Sequence, residues 1–432
     1  MPAETAPAET APSESAPAET APSVSEFRAR CRRWLADQGL PPIEEHEAGS
    51  RHRGVAVFHN LPLEDEQALL GAGRAWQARK YAAGFGAISW PTEYGGAALT
   101  ADHERAFAEE EAHYAVAASH EALRITVNLA APTLRELGTS EQRARFVPRF
   151  LGCEDVVCQL FSEPDAGSDL AGITTRARAD GDEWVIDGSK VWTSGAQLAD
   201  WGFLIARTNP ERPKHQGLTA FLVPMSSEGV AVRPIRQMSG GGSFSEVFLA
   251  DVRIADGLRV GEIGGGWKAA LTMLGFERNQ SGTKKGIGGS WAQLHELARS
   301  SGRRTDPVVR QRLMAVYEHE RLRLLTRERA DAARLSGNQP GPEGSIGKLL
   351  WSQGLTMIGE AAQLLLGPAL TADTGSPGTY MWTEHLLGAP GFRIAGGSDE
   401  IQRNIIGERV LGLPPEPRPD SAGSPQPGKG SR

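Results

Sequence analysis

Apolar positions change their period twice along this chain. Over residues 25–38, Phe27, Cys31, Trp34 and Leu35 recur at three- and four-residue steps with arginines between them, the spacing of one buried helix face. Gly39 and the pair Pro41-Pro42 end it. The same period predicts helices over 61–83 and 101–118, with an irregular turn at 88–96. Two shorter helices are expected within 128–150, where Thr139 or Ser140 can cap the second. From Val156 the period falls to two. Short β-rich runs follow at 156–161, 174–179, 183–186, 189–194, 202–208, 219–225, 230–235 and 244–254, bounded by Gly, Pro, Asn or Asp. Asp180-Gly181-Asp182 and Asp187-Gly188 read as hairpin turns. At Gly264-Gly265-Gly266 the helical period returns and lasts to about Leu411, with breaks near Gly302, 337–344, Gly367-Pro368 and 388–391. The order is helices, then a barrel or sandwich, then helices.

Composition adds two tails and several exclusions. Residues 2–23 repeat Pro-Ala-Glu-Thr-Ala with almost nothing apolar larger than alanine, so residues 1–23 are expected to be a disordered, low-complexity tail. Residues 415–432 are rich in Pro, Gly and Ser and are expected to be flexible. The net charge of −7 includes Glu4, Glu9, Glu14 and Glu19 of the first tail, which gives no reason to expect nucleic acid or anionic lipid as a partner. No apolar run approaches a membrane span and no signal-peptide pattern opens the chain, so a cytoplasmic protein is expected. Cys31, Cys153 and Cys158 lack metal-ligand spacing, and the histidines form no H-E-x-x-H pattern. No metal site is expected.

Five motifs carry a resemblance to a known family: ISWPTEYGG at 88–96, LGTSEQRARFVPRFLGCE at 137–154, QLFSEPDAGSDLA at 159–171, KVWTSGA at 190–196 and GGSDEIQRNIIGERVLGLP at 396–414. In register, they make the chain resemble the acyl-CoA dehydrogenases from about Phe27 to Pro414. The resemblance implies a mainly α fold with a β middle domain: an α-helical domain at 24–155, a small β-barrel or sandwich at 156–262 and a C-terminal four-helix bundle at 263–414. It implies FAD as cofactor, an acyl-CoA as substrate, an electron-transfer flavoprotein as electron acceptor, and a homodimer or homotetramer. By the same resemblance Trp192 lies against the flavin ring, Ser194 offers its hydroxyl near N5, and Gln159, Phe161 and Ser162 touch the flavin from the other loop. Ser168 matches a coenzyme A contact, Gln363 and Gly367 approach the diphosphate across a subunit boundary, and Ser398 and Glu400 match flavin-contacting positions. Read alone, Trp192 is also an ordinary core tryptophan and Ser162 and Ser168 ordinary turn residues; the motifs in register favour the cofactor reading. Where many members carry a clasping Arg-x-x-Phe, this chain has Gly302-Arg303-Arg304-Thr305-Asp306-Pro307.

Dehydrogenating a thioester needs a base for the α-proton as well as a hydride acceptor. The position that supplies a glutamate in many members is Gly396 here, which has no side chain to act. The isovaleryl- and long-chain-type members place their glutamate on the first bundle helix directly before an arginine, and this chain has Glu277-Arg278 there. Glu277 follows Leu274, Met273 and Ala270 at three, four and seven residues, which sets it on an apolar face, and such a setting strengthens a carboxylate's drive to take a proton. Glu277 is therefore the expected base and Arg278 a positioning residue, against a structural ion pair of Glu277 with Arg278, Arg321 or Arg323. A base moved away from Gly396 leaves space near the α-carbon, and in the family that arrangement accompanies branched or bulky acyl chains. Two competing readings are an oxygen-using oxidase or monooxygenase on the same fold, and a partner subunit of a mixed oligomer with little activity of its own. Glu163 is expected to be a turn and positioning residue.

Overall fold

A computed structural model describes residues 21–42, 54–116, 120–281, 287–335, 341–373 and 380–415. Most of the two expected tails lies outside these residues. The chain divides into two compact units, one of residues 1–43 and 87–116, the other of 44–86 and 117–432.

In the first unit, α1 (Val24–Ala36) buries Phe27, Cys31 and Leu35 and starts at a Ser23–Glu26 capping box. It packs on α2 (Ala101–Glu111) of the same unit. Glu110 joins the two, accepting from Arg28 Nη1 at 2.9 Å and from Arg32 Nε at 2.8 Å. The expectation of a helix over 101–118 is corrected: it stops at Glu111. Beyond it, Tyr114 bridges Pro42 and the Ala115 N–H donates to the Pro41 carbonyl, so the backbone is claimed by another strand-like segment.

The second unit opens with α3 (Leu63–Ala82). Next comes α4 (Glu121–Ile125), which runs through a π-helical turn (Thr126–Ala130) into α5 (Ala131–Leu137). This helical run begins earlier than expected; Pro132, which has no N–H to give to a regular ladder, sits at the junction. Thr139 then caps α6 (Ser140–Leu151) in a box with Gln142.

Strands β1 (Val157–Leu160), β2 (Arg176–Asp180), β3 (Glu183–Ser194), β4 (Trp201–Arg207), β5 (Leu218–Pro224), β6 (Val230–Ile235), β7 (Phe244–Ala255) and β8 (Arg259–Val260) form one sheet. Its order is β6-β7-β3-β2-β4-β5-β8, with β1 parallel to β4. Trp184, Ile186, Leu204, Phe221 and Val252 lie in its core. Gly181, at φ 67°, makes the expected turn between β2 and β3. The second expected turn, at Asp187-Gly188, is instead a bulge inside the continuous β3. Pairing with β7 holds on either side of it, and a methyl at Gly188 would lie 2.4 Å from Thr175 Oγ1. Glycine there serves a close approach.

The bundle comprises α7 (Gly266–Ser281), α8 (Trp291–Ser300), α9 (Pro307–Leu335), α10 (Gly344–Leu366), α11 (Met381–Phe392) and α12 (Asp399–Ile405). Helix α10 buries Trp351, Leu355, Ile358, Ala361, Ala362 and Leu365, and packs against α7, α8, α9, α11 and α12. The expected break near 388–391 comes slightly later: α11 runs through these glycines to Phe392, and the turn follows at 393–398. The glycines there admit a neighbour. A methyl at Gly388 would lie 2.4 Å from Val57 Cγ2 and 3.0 Å from Phe58 Cδ2.

Residues 54–60 thereby lie on the bundle. Val55 and Val57 join its apolar clusters, and Phe58 stacks on Phe392 at 5.0 Å while its edge meets Phe244 of β7 at 5.3 Å. This segment links bundle to sheet. Gly388→Ala is expected to lower stability by about 1–3 kcal/mol through overpacking, and adding Val57→Ala should return part of that loss. Denaturant titration of the three proteins checks it; a double variant no more stable than Gly388→Ala would show that Val57 is not what the methyl meets.

Candidate active site

The segment after β1 and the end of β3 are locked together by a buried ion pair. Glu163 Oε1 accepts from Lys190 Nζ at 2.9 Å and from the Thr175 N–H at 2.9 Å. Its Oε2 accepts from the Thr174 N–H at 2.6 Å and the Thr174 hydroxyl at 2.9 Å. Lys190, fully buried at 0 % exposure, also donates to the Phe161 carbonyl at 3.0 Å. The Val191 N–H adds a bond to the Ser162 carbonyl at 2.9 Å. Burial works to raise the Glu163 carboxyl, but the Lys190 ammonium and the threonine donors outweigh it and hold it at about 2. Burial pushes Lys190 down to about 8 against the pull of Glu163; with so acidic a partner, the ammonium remains charged at neutral pH.

Strand β3 bulges between Lys190 and Thr193, and the bulge lifts Trp192 out of the sheet. Trp192 has φ 61°, a strained setting for so large a residue, and its indole is 60 % exposed. The core-tryptophan alternative is therefore excluded. Its edge neighbour is Phe244, at 6.3 Å and 85°. Gln159, Ser162 and Ser194 are half-buried, Phe161 is buried against Phe203, and Ser168 is exposed on its turn. An exposed indole, with the half-buried Ser194 hydroxyl two residues on in the same strand, fits a flavin ring and its polar edge.

Glu277, half-buried on α7, points its carboxylate at Gly396. A methyl on Gly396 would lie 3.0 Å from Glu277 Oε1 and 3.4 Å from its Cδ. Gly396 and Gly397 adopt φ 68° and 87°, conformations that favour glycine. Their carbonyls each accept from Gln402 Nε2 at 3.2 Å. Asp399 anchors the loop from below, accepting from Ser352 Oγ at 2.6 Å, Arg393 Nε at 3.0 Å and Lys348 Nζ at 3.3 Å. Burial opposes ionisation of Asp399, yet Ser352, Arg393 and Lys348 together hold it below the usual carboxylate range. Burial also lowers Lys348, opposed first by Asp399 and then by the charge of Glu277. Lys348 is thus a buried cation whose charge partner is Asp399.

The other expected positions fall as follows. Ser398 spends its side chain capping α12, accepting from the Ile401 N–H at 3.3 Å, and Glu400 is exposed beside Arg403. Gln363 and Gly367 line a cavity of about 360 Å³ with Leu370, Tyr380 and Thr383, where Gly367 (φ 50°) ends α10. Arg278 lies in α7, and its side chain is outside the described residues. In the segment 302–307, Arg303 pairs with Asp306 at 2.7 Å and donates to the Leu364 carbonyl, so its guanidinium has partners within the bundle. Sequence reasoning missed Lys348, Ser352, Asp399 and Gln402. Asp399 and Gln402 stand inside a quoted motif, whereas nothing in the sequence marked Lys348 as the partner of Asp399.

Contacts of Trp192 with Phe244, of Phe244 with Phe58 and of Phe58 with Phe392 connect the indole plate to the segment that leads into Gly396. The chain matches sequence profiles for the acyl-CoA dehydrogenase N-terminal domain over residues 63–154, middle domain over 158–252 and C-terminal domain over 264–411. It belongs to the acyl-CoA dehydrogenase family. This acyl-CoA dehydrogenase is 39 % identical over 406 residues to "Acyl-CoA dehydrogenase IpdE1" of Mycobacterium tuberculosis, covering 91 % of this chain and 98 % of the relative. Among solved structures it resembles the "Tcur3481-Tcur3483 steroid ACAD" with a TM-score of 0.71 and 29 % identity, covering 91 % and 98 % of the two chains. It also resembles the ChsE4-ChsE5 complex from Mycobacterium tuberculosis, with a TM-score of 0.66, 28 % identity and coverage of 92 % and 99 %. Membership makes it a flavin-dependent oxidoreductase.

Removing one member of a buried pair leaves the other uncompensated, so Lys190→Met in this acyl-CoA dehydrogenase is expected to cost about 3–5 kcal/mol. Lys190→Met with Glu163→Gln should recover part of it, as read by urea unfolding; a double variant no more stable than the single would count against the pair. The pH dependence has a defined sign. Because the Glu163 carboxyl falls from its ordinary 4.5 to about 2, its contribution is complete above about pH 4.5 and disappears as the pH drops through about 2. Glu163→Gln should flatten that acid limb.

Proposed function

We propose that this acyl-CoA dehydrogenase oxidises a bulky acyl-CoA, branched or polycyclic, to its 2-enoyl-CoA, with Glu277 as the base. The observation that carries the reading is the Glu277 carboxylate lying against Gly396, so that the base comes from α7 to the place a side chain at 396 would have filled. Glu277 takes the α-proton as the Cα–Cβ double bond forms, and Lys348 and Asp399 beneath the loop hold the surrounding charge in place. Bound FAD supplies the acceptor for the hydride that leaves the β-carbon. Trp192 is the wall on which that cofactor rests, Ser194 its polar edge contact, with Gln159, Phe161, Ser162, Gln363, Gly367, Ser398 and Glu400 as further contacts, and Ser168 a contact for the coenzyme A portion. Electrons then leave to an electron-transfer flavoprotein.

The bulky substrate is supported by the position of the candidate base on the first bundle helix, an arrangement that in the family accompanies branched or bulky acyl chains. A neighbour named as a steroid dehydrogenase points the same way, to a ring-bearing acyl chain. Two structural neighbours, Tcur3481-Tcur3483 and the ChsE4-ChsE5 complex, are each named as a pair of proteins, which favours a second reading for assembly: a mixed oligomer in place of a homodimer or homotetramer. Light scattering of the chain purified alone, with its FAD content, separates these assemblies.

Anaerobic flavin bleaching tests the chemistry. A polycyclic or branched acyl-CoA should bleach the flavin faster than a straight short-chain thioester. Glu277→Gln should slow it by about 10²–10⁴-fold, the usual worth of a general base. Full activity in Glu277→Gln would remove the base assignment, and a preference for short straight chains would remove the substrate class. Gly396→Ala, whose methyl would crowd Glu277 Oε1 at 3.0 Å from a left-handed backbone, should lower kcat while the flavin stays bound.

A further inference from the structure

Behind the Ser194–Gly195 turn lies a buried polar chain that neither the base nor the Glu163–Lys190 pair uses. His120, 1 % exposed, caps α4: its Nδ1 accepts from the Ala122 N–H at 3.1 Å. That commits Nδ1 as an acceptor, so the proton sits on Nε2, which lies 3.0 Å from Glu66 Oε1 and donates to it. Glu66, 3 % exposed on α3, accepts through its other oxygen from Gln197 Nε2 at 3.0 Å. Gln197 belongs to the turn that follows Gly195 (φ 66°).

The same turn rests directly on the histidine. A methyl at Gly195 would lie 3.1 Å from Ala122 Cβ and 3.4 Å from His120 Cε1. The Leu198 N–H closes the turn onto the Gly195 carbonyl at 3.0 Å, and the Gly195 N–H ties it to Ser243 at 3.2 Å. His59, from the segment that crosses the bundle, stacks over His120 at 5.9 Å and 10°. A carboxylate and an imidazole taken out of water cost stability unless each is satisfied. Here each is satisfied, and the chain of bonds ends on the residues that fix Ser194. Apolar packing could join the same helices, but it would not set the orientation of one turn.

We propose that Glu66, His120 and Gln197 form a positioning triad that holds the Ser194–Gly195 turn in the geometry needed to bind the flavin edge. The triad touches neither substrate nor reacting atoms, and it acts through Ser194. This rests on the flavin reading of Trp192 and Ser194 given above.

An isosteric swap tests it on the purified holoprotein. Gln197→Glu sets a second carboxylate against Glu66; the FAD dissociation rate is expected to rise about tenfold, and amide hydrogen exchange at 195–198 to speed up. The rate of flavin reduction should fall while KM for acyl-CoA stays within about twofold. Glu66→Gln combined with Gln197→Glu restores a donor facing an acceptor at equal volume, and both FAD dissociation and local exchange should return to within about twofold of wild type. His120→Asn, which keeps an acceptor near Ala122 but is too short to reach Glu66, should reproduce the Gln197→Glu phenotype. Failure of the swap to rescue, or a fall in Tm without any change at 195–198, would overturn the triad. Wild-type protein that takes up no FAD would instead overturn the flavin reading, with the exchange data still judging the triad by itself.

Discussion

A lysine with no solvent exposure holds the candidate cofactor surface together. Lys190 reaches from one segment to the Glu163 carboxylate and the Phe161 carbonyl of another, and Trp192 stands two residues beyond it. A bulged strand carrying a large indole at positive φ is an unfavourable local structure. It persists because the residues on its flank are fixed by charge-assisted bonds that cannot be traded for water. Burying such a pair gives little net stability compared with apolar packing. What it does give is a single arrangement, since both charges must be matched at once. A wall that has to face a planar ring gains more from that uniqueness than from additional burial.

A second buried pair repeats the logic on the bundle side. Lys348 and Asp399 meet beneath the Gly396–Gly397 loop, with Ser352 and Arg393 completing the carboxylate's partners. Each pair supports an unusual backbone, the strained Trp192 bulge in one case and two left-handed glycines in the other. Phe58 lies between the two regions, in ring contact with Phe244 and Phe392. Rigid polar anchors thus hold the chemistry, and a softer aromatic contact couples the two parts.

Much of this was legible in the sequence, for reasons that differ by residue. The capped helices announced themselves because Ser23–Glu26 and Thr139–Gln142 are local signals with local physics. The β region was legible through its period of two. Errors came where distant packing overruled a local cue. Asp187-Gly188 resembles a turn, yet β7 holds both sides of it in one strand and Thr175 demands the missing side chain. Glycines at 388 and 391 resemble a break, yet they are the groove for Val57 and Phe58. The run past Glu111 lost its helix to a bridge with Pro42. In the candidate site, Trp192 could be proposed in advance from its motif, and Glu277 from the Glu277-Arg278 pair and the glycine at 396. Lys348 could not, since a lysine on an apolar helix shows its purpose only when Asp399 is seen beside it.

The proposed placement of the base on α7 follows a geometric rule more general than this chain. A carboxylate needs only to present an oxygen at the α-carbon; which helix carries it is secondary so long as the oxygen arrives there. The point opposite Gly396 can be reached by a side chain from the loop or by one from the facing helix, and only one can occupy it. Once glycine stands in the loop, its backbone takes a left-handed turn that an L side chain would strain. Returning the base to the loop would then meet both backbone strain and the carboxylate already there. Under the proposed reading, glycine at 396 and glutamate at 277 are therefore one choice made at two positions.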